Sequence, residues 1–441
     1  MSDEAAKPTP ASAFDAHHPP AQEIIDKCVH CGFCLPVCPT YQLWGQEMDS
    51  PRGRIYLMKM AGEGTAQMND KWVSHFDACL GCVACMTACP SGVDYGKLIE
   101  ATRAQIERNY HRSPGERLHR RMLFETLTKP ERLKLLRWPL EIYQKSGLQG
   151  FLRSAGFFKL LPRFAGAMDA LLPKLAAVED VAKTTPALGE KRKRVGLLLG
   201  CVQRAYFSHI NAATVRVLAA EGYEVIAPAG QTCCGALLVH AGEEARAQEL
   251  ARSTIDAFER ANVEYIVSNA AGCGSNLKEY GHLLRDDPVY AERAKHFSAR
   301  CRDISEVLSE FPPRAARKPL PVRVAFHDSC HLQHAQGIRT QPRSLLAQIP
   351  GLVLAEISES AICCGSAGIY NLVQPDAANA LGDRKASLIV PLQASVVVTG
   401  NPGCILQLHA ALERANQHVP VLHTIQLVDA SIRGAPLESL F

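Results

Sequence analysis

The sequence predicts a mixed fold, α+β overall and α/β in its second half: a mostly helical N-terminal unit, a helical linker, and two pseudo-repeated α/β units. Three observations predict it. Two four-cysteine runs, CVHCGFCLPVCP from Cys28 and CLGCVACMTACP from Cys79, stand close together near the start of the 441-residue chain. A basic and apolar stretch follows, with apolar residues at helical spacing. Beyond it, a C…CCG…C pattern occurs twice. The expected parts are a disordered arm over 1–20, a two-cluster ferredoxin-like domain over 21–110, basic amphipathic helices over 111–190, and repeat copies over 191–318 and 319–441.

Each cysteine run carries three thiols at x-x spacing and a fourth, three residues on, followed by proline. Three such thiolates can wrap one iron–sulfur cube, while the fourth reaches a neighbouring one. The spacing therefore assigns Cys28, Cys31, Cys34 and Cys89 to one [4Fe–4S] cluster, and Cys79, Cys82, Cys85 and Cys38 to a second. Pro39 and Pro90 turn the chain after each donated ligand. Disulfide scaffolds suit small secreted domains, and zinc sites usually take two separated cysteine pairs, so neither explains a repeated four-cysteine run. Helical character is expected over Arg54–Met60 and Tyr95–Asn109.

Seventeen cysteines without a charged, apolar leader point to a reducing cytoplasm, where thiolates stay available to metal. The formal charge of +4 is too small for this length to suggest nucleic acid as a partner. The first twenty residues, rich in Ala, Pro, His and Asp, have no apolar periodicity and read as disordered. Residues 111–175 hold 13 Lys or Arg against 5 Asp or Glu. Leu118, Met122, Leu123 and Leu127 fall at helical spacing there, and the basic faces read as solvated sides of core helices, with an acidic partner or the anionic membrane surface as alternatives. The uncharged stretch Ala386 to Leu412 is long enough for a membrane span, but Pro391, Asn401 and Pro402 make it a strand, a turn and a helix instead.

A boundary is expected at Thr184 to Arg194, after which the chain repeats itself. Cys201, Cys233, Cys234 and Cys273 recur as Cys330, Cys363, Cys364 and Cys404, at offsets of 129, 130, 130 and 131 residues. Such near-equal offsets indicate duplication. Each copy runs strand, helix, strand into the CCG turn, helix, strand, which implies a small, mostly parallel sheet with the cysteines at its carboxyl ends. Neighbouring cysteines face opposite sides of an extended strand, but on a turn freed by Gly235 or Gly365 both can converge. Eight cysteines in register read as metal ligands, for an iron–sulfur cluster or for zinc.

With the segment MDSPRGRIYLMK at Met48 to Lys59 and the phrase HDSCHL at His327 to Leu332, these motifs resemble the iron–sulfur subunits of glycolate oxidase. That family lies within a wider group of two-cluster ferredoxins fused to duplicated cysteine-rich CCG domains. The resemblance covers the chain from about residue 21. It implies an electron-transfer subunit that accepts electrons from FAD-containing catalytic subunits oxidising glycolate to glyoxylate, and passes them to a membrane acceptor, a quinone. The chain would then be cytoplasmic and peripheral on the inner face of the membrane. Relatives acting on D-lactate or glycerol-3-phosphate, and heterodisulfide reductase, are the alternatives. Heterodisulfide-type domains close with C-x-x-C, whereas Cys273 and Cys404 each stand alone.

Neither a G-x-G-x-x-G fingerprint nor a Walker phosphate loop occurs in the sequence. Hydride removal is therefore expected on another chain, and no residue of this one reads as catalytic. Cys301 reads as packing; His327, His331 and His334, crowding Cys330, read as hydrogen-bonding residues with a cluster-ligand role as the alternative, and Arg52 and Arg54 read as solvated, with a charge favouring the reduced state of a nearby cluster as the alternative.

Overall fold

The computed structural model of the protein describes residues 11–161 and 163–440. The chain divides into two compact units: Met1–Arg117 with Val239–Glu243, and Leu118–Leu238 with Glu244–Phe441. The first unit is helical among its described residues. Pro51–Gly62 starts on a proline, with Ser50 capping it by accepting from the Gly53 N–H at 3.0 Å. Asp70–Asp77 and Tyr95–Asn109 pack with it around Met58, Phe76, Leu98 and Ile106. The thiols of Cys79 and Cys85 belong to this same core.

The N-terminal arm departs in part from the expectation of disorder over 1–20. Residues 1–10 lie outside the described residues, but the next ones are anchored. The Phe14 and Trp72 rings lie 6.2 Å apart, and Asp15 pairs with Arg108 at 2.8 Å while accepting from Asn109 and Gln105. One aromatic and one carboxylate suffice here because helix Tyr95–Asn109 presents complementary groups, which composition does not reveal.

In the second unit the linker forms helices Pro114–Leu127, Pro130–Lys145, Leu148–Ser154 and Arg163–Ala170. Of the stripe expected to be inward, Leu123 is buried while Leu118 and Met122 are exposed. The buried side instead falls on Leu123, Phe124 and Leu133.

Two sheets follow. The first holds β1 (Thr184–Thr185), β2 (Lys193–Leu197), β3 (Tyr223–Ile226), β4 (Tyr265–Ser268) and β5 (Cys301–Asp303), in the order β1-β3-β2-β4-β5. Its pairings are parallel except β1 with β3, where Thr184 faces Ile226. The expected boundary at Thr184 thus begins inside the sheet. The second holds β6 (Arg323–Phe326), β7 (Val353–Glu356), β8 (Val396–Thr399) and β9 (Val421–His423), in the order β7-β6-β8-β9, all parallel. Strand β8 is buried at every residue, as its VVVT run requires of a central parallel strand. The halves share one core, in which Val195, Leu197 and Leu218 join Val324, Phe326, Val396 and Val428.

His423 ties the halves together. Its Nε2 lies 2.7 Å from the Asn269 carbonyl, while its Nδ1 accepts from the Ile425 N–H at 3.1 Å. The bond accepted by Nδ1 needs the neutral ring, and burial pushes the pKa down to about 4. Between that value and the ordinary 6.5 the unfolded chain binds a proton that the folded chain does not, so this stability is present above pH 6.5 and lost as pH falls toward 4. The loss amounts to about 3 kcal/mol. In urea melts from pH 7 to pH 4, His423→Asn should be less stable at neutral pH and show a correspondingly flatter acid limb.

Candidate metal centres

In the first unit the two cysteine runs bend alike. His30 (φ +53°) and Gly32 (φ +88°) take left-handed backbone in the first, and Gly81 (φ +62°) and Val83 (φ +51°) occupy the matching places in the second. These reversals turn three thiols at x-x spacing inward. A β-branched residue at positive φ is strained, so Val83 is held there by its surroundings. At Gly32 a Cβ would stand 2.9 Å from Arg52 Nη1. The fourth cysteines also match, since Cys38 (φ −85°, ψ 115°) and Cys89 (φ −84°, ψ 113°) are both extended, as a following proline requires.

The runs thereby exchange ligands. One cavity is walled by Cys28, Cys31, Cys34 and Cys89. Its neighbour is walled by Cys79, Cys82 and Cys85 with Cys38. Pro51, Cys85 and Tyr95 line both, so the cavities share a wall. Four thiols around an otherwise largely apolar cradle fit a [4Fe–4S] cluster, which is held by cysteine thiolates. The first cavity opens outward beside exposed Val29, Cys31 and Phe33, whereas the thiols of the second are buried.

Arg54 overturns the expectation of solvated arginines between the runs. Only 1% exposed, it donates to the Asp49 carbonyl at 2.6 Å, the His75 carbonyl at 2.6 Å and Thr40 Oγ1 at 3.1 Å, and pairs with Asp49 at 3.3 Å. Its charge acts on Cys79 and Cys38. Burial raises the Cys79 thiol, but Arg54, Arg103, the Gly81 N–H and the Tyr95 hydroxyl outweigh it and hold Cys79 below the ordinary thiol range. Burial pushes Cys34 up to about 11, against a hydrogen bond from Arg52. Arg52 stays at the edge, gripping Glu47 at 2.6 and 3.1 Å and donating to the His30 carbonyl at 3.0 Å.

In the second unit both CCG turns gather their cysteines. Gly235 (φ +82°) and Gly365 (φ +95°) follow the pairs, and a Cβ on Gly365 would lie 2.6 Å from the Ala378 carbonyl oxygen. In the first half Cys201, Cys233, Cys234 and Cys273 form a continuous chain of thiol contacts. The Cys233 contact and burial raise Cys201 well above its usual range. In the second half Cys330 Sγ lies 3.9 Å from Cys363 Sγ, and ligand atoms of His327, Cys364 and Cys404 lie within 4.8 Å of one another. Hydrogen bonds from Cys330 and Cys364 hold Cys363 well below the thiol range. A bond from Cys364, with His327 and against burial, does the same for Cys404.

Where a C-x-x-C partner would stand after Cys273 and Cys404, Asn276 donates to the Cys234 carbonyl at 2.7 Å and Gln407 to the Ala378 carbonyl at 2.8 Å. These amides clamp backbone. His331 and His334 make hydrogen bonds, to Ser275 Oγ at 2.9 Å and to the Ala361 carbonyl at 2.9 Å. His327 also makes a hydrogen bond, to the Cys404 thiol, and sits among the thiols. Cys301 is buried and donates to the Phe297 carbonyl at 3.4 Å. Sequence reasoning gave Arg54 and His327 a cluster role only as the lesser alternative and missed Lys385, which is buried with its charge acting on Cys363 and Cys364; the crowding of His327 beside Cys330 was the available signal.

Residues 24–93 match the model of the 4Fe-4S dicluster domain, residues 115–181 that of the glycolate oxidase iron-sulfur subunit linker region, and residues 195–278 and 324–409 that of the cysteine-rich CCG domain. The chain is 40% identical to a probable glycolate oxidase iron-sulfur subunit of Bacillus subtilis (strain 168), over 92% of this chain and 93% of that one. The chain belongs to the glycolate oxidase iron–sulfur subunit family. The glycolate oxidase iron-sulfur subunit of Escherichia coli (strain K12) is 36% identical over 93% of this chain and 95% of its own length. Lactate utilization protein A of an Exiguobacterium species is 27% identical over 55% of this chain and 99% of its own. Within this family, the dicluster and CCG matches indicate iron–sulfur chemistry, and the relatives named are subunits of an oxidoreductase.

Arg54→Met leaves Asp49 and two carbonyls short of a donor in the core. The expected result is a loss of roughly 3–5 kcal/mol, as for a broken buried pair, seen as a lower thermal transition of the first unit. Arg54→Lys should recover part of it.

Proposed function

We propose that this chain is the electron-transfer subunit of a flavin-dependent glycolate oxidase complex. It takes electrons from FAD-containing subunits that oxidise glycolate to glyoxylate, and passes them to a membrane acceptor of the quinone class. The observation that carries the reading is the pair of adjacent cavities, each walled by three thiols of one run and the Cys-Pro thiol of the other, with Cys85 in the wall between them. Cys28, Cys31, Cys34 and Cys89 would hold one [4Fe–4S] cluster, and Cys79, Cys82, Cys85 and Cys38 the other; such clusters supply one-electron transfer.

The chain's own residues do the rest. Cys85 and Tyr95, in the shared wall, keep the two sites side by side, and Arg54 places a positive charge against the buried one. That charge favours the reduced, more negative form and so raises the potential of the inner site. The CCG cysteines Cys201, Cys233, Cys234 and Cys273, and Cys330, Cys363, Cys364 and Cys404, hold metal in the second unit.

Membrane contact is supported by the linker. Its helices leave Leu135 (77%), Trp138 (71%), Phe151 (66%) and Leu160 (85%) exposed on a segment rich in Lys and Arg. Apolar and aromatic residues beside cations suit an anionic bilayer surface. Among the described residues no helix is long and apolar enough to cross a membrane.

The deciding experiment is anaerobic purification with bound partners, followed by glycolate-dependent reduction watched by EPR. A co-purifying flavoprotein, and reduction abolished by Cys82→Ser with a loss of about four irons, is the expected outcome. Reduction by D-lactate and not glycolate would move the assignment to the lactate relatives. Vesicles containing anionic phospholipid should sediment the chain at low salt, less so at high salt, and several-fold less with Leu135→Glu/Trp138→Glu; equal sedimentation of both forms would remove the membrane assignment.

A further inference from the structure

We infer that the second CCG half forms an iron–sulfur site of mixed histidine and thiolate ligation, with His327 as a ligand, different in kind from the all-thiol site of the first half. This rests on the reading that the CCG halves hold metal. His327 follows β6 and is 1% exposed. Its imidazole contacts the Cys404 thiol, and a ring nitrogen lies within 4.8 Å of both Cys364 and Cys404 Sγ. Nδ1 is buried and meets no hydrogen-bond partner among the described residues. Leaving a buried imidazole nitrogen unpartnered is costly, so a ring kept against two thiols calls for an occupant that the side chains do not supply.

The duplication provides an internal control. Counting back by the offset of the first cysteines, His327 corresponds to Leu198, which is buried among Cys201, Cys233 and Cys234. Ala378 and Ala247 take the same place against the CCG glycines, and by their offset Lys385 corresponds to Thr254. Asn401, donating to Cys404 Sγ at 3.6 Å, corresponds to Ala270. His327, a buried ammonium group and an amide donor therefore stand about one set of thiols where the other has Leu198, Thr254 and Ala270.

With His327 the second half brings five donors together, more than a structural zinc ion takes, and the family is one of iron–sulfur subunits. An iron–sulfur cluster accepts histidine in place of cysteine, and a neutral ligand in place of a thiolate raises its potential.

The test uses the full-length chain, labelled with ¹⁵N-histidine, purified anaerobically and reconstituted with ferrous iron and sulfide. Iron and zinc content, pulsed-EPR nitrogen coupling and redox midpoints are compared in the wild type, Cys363→Ser, His327→Leu and His327→Cys. Expected are more than the about eight irons of two cubes, and a ¹⁵N coupling lost in His327→Leu. His327→Cys should retain the iron but lower one midpoint. Unchanged metal in Cys363→Ser would overturn the metal reading of this half and the inference with it. Metal lost in Cys363→Ser, but no ¹⁵N coupling in the wild type or an unaltered midpoint in His327→Cys, leaves that reading standing and overturns the histidine ligand. Zinc in place of iron does the same.

Discussion

The crowding of thiols into small, largely dry spaces governs the rest of this protein. Sulfurs about 4 Å apart repel one another once ionised, and burial raises the cost of each charge. Nothing in ordinary core packing favours such a gathering. The chain meets the constraint with backbone rather than with side-chain attraction. Left-handed residues at matching places bend both cysteine runs, and a glycine at φ +95°, against the Ala378 carbonyl, closes the second CCG turn. The cations Arg54 and Lys385, both almost fully buried, stand close to the thiols they offset.

The two units solve one problem by different architecture. In the helical unit the three-thiol loops and the extended Cys-Pro steps let two sequence-distant runs complete each other's sites. Neither run can form its site alone. In the α/β unit each site is local to one sheet, and the cysteines sit at the carboxyl ends of parallel strands where chain reversals leave room for a ligand. Duplication produced two such places, and their surroundings differ: His327, Lys385 and Asn401 in one stand where the other has Leu198, Thr254 and Ala270.

The linker shows how burial and composition separate. Leu133 packs with Cys201, Cys233 and Cys234, and the Tyr206 hydroxyl donates to its carbonyl at 3.2 Å. The same helix carries exposed Leu135 and Trp138. One helix thus supports the core around the first CCG cysteines on one side and presents an apolar surface on another, which accounts for its mixture of basic and hydrophobic residues.

Spacing alone determined a good deal: the grouping of cysteines in each run, the duplication, the mostly parallel sheets and the helices over Pro51–Gly62 and Tyr95–Asn109, because these depend on short-range periodicity and register. Strands β5 and β9, of three residues each, and the two-residue β1 are too short to carry a period and follow from pairing with neighbours already in place. The burial of Arg54, the loss of Leu118 and Met122 to the surface, the anchoring of Phe14 and Asp15, and the seat of His327 among thiols were decided only by the tertiary structure. Each depends on which distant groups come within a few ångströms, and a linear sequence holds no record of that distance.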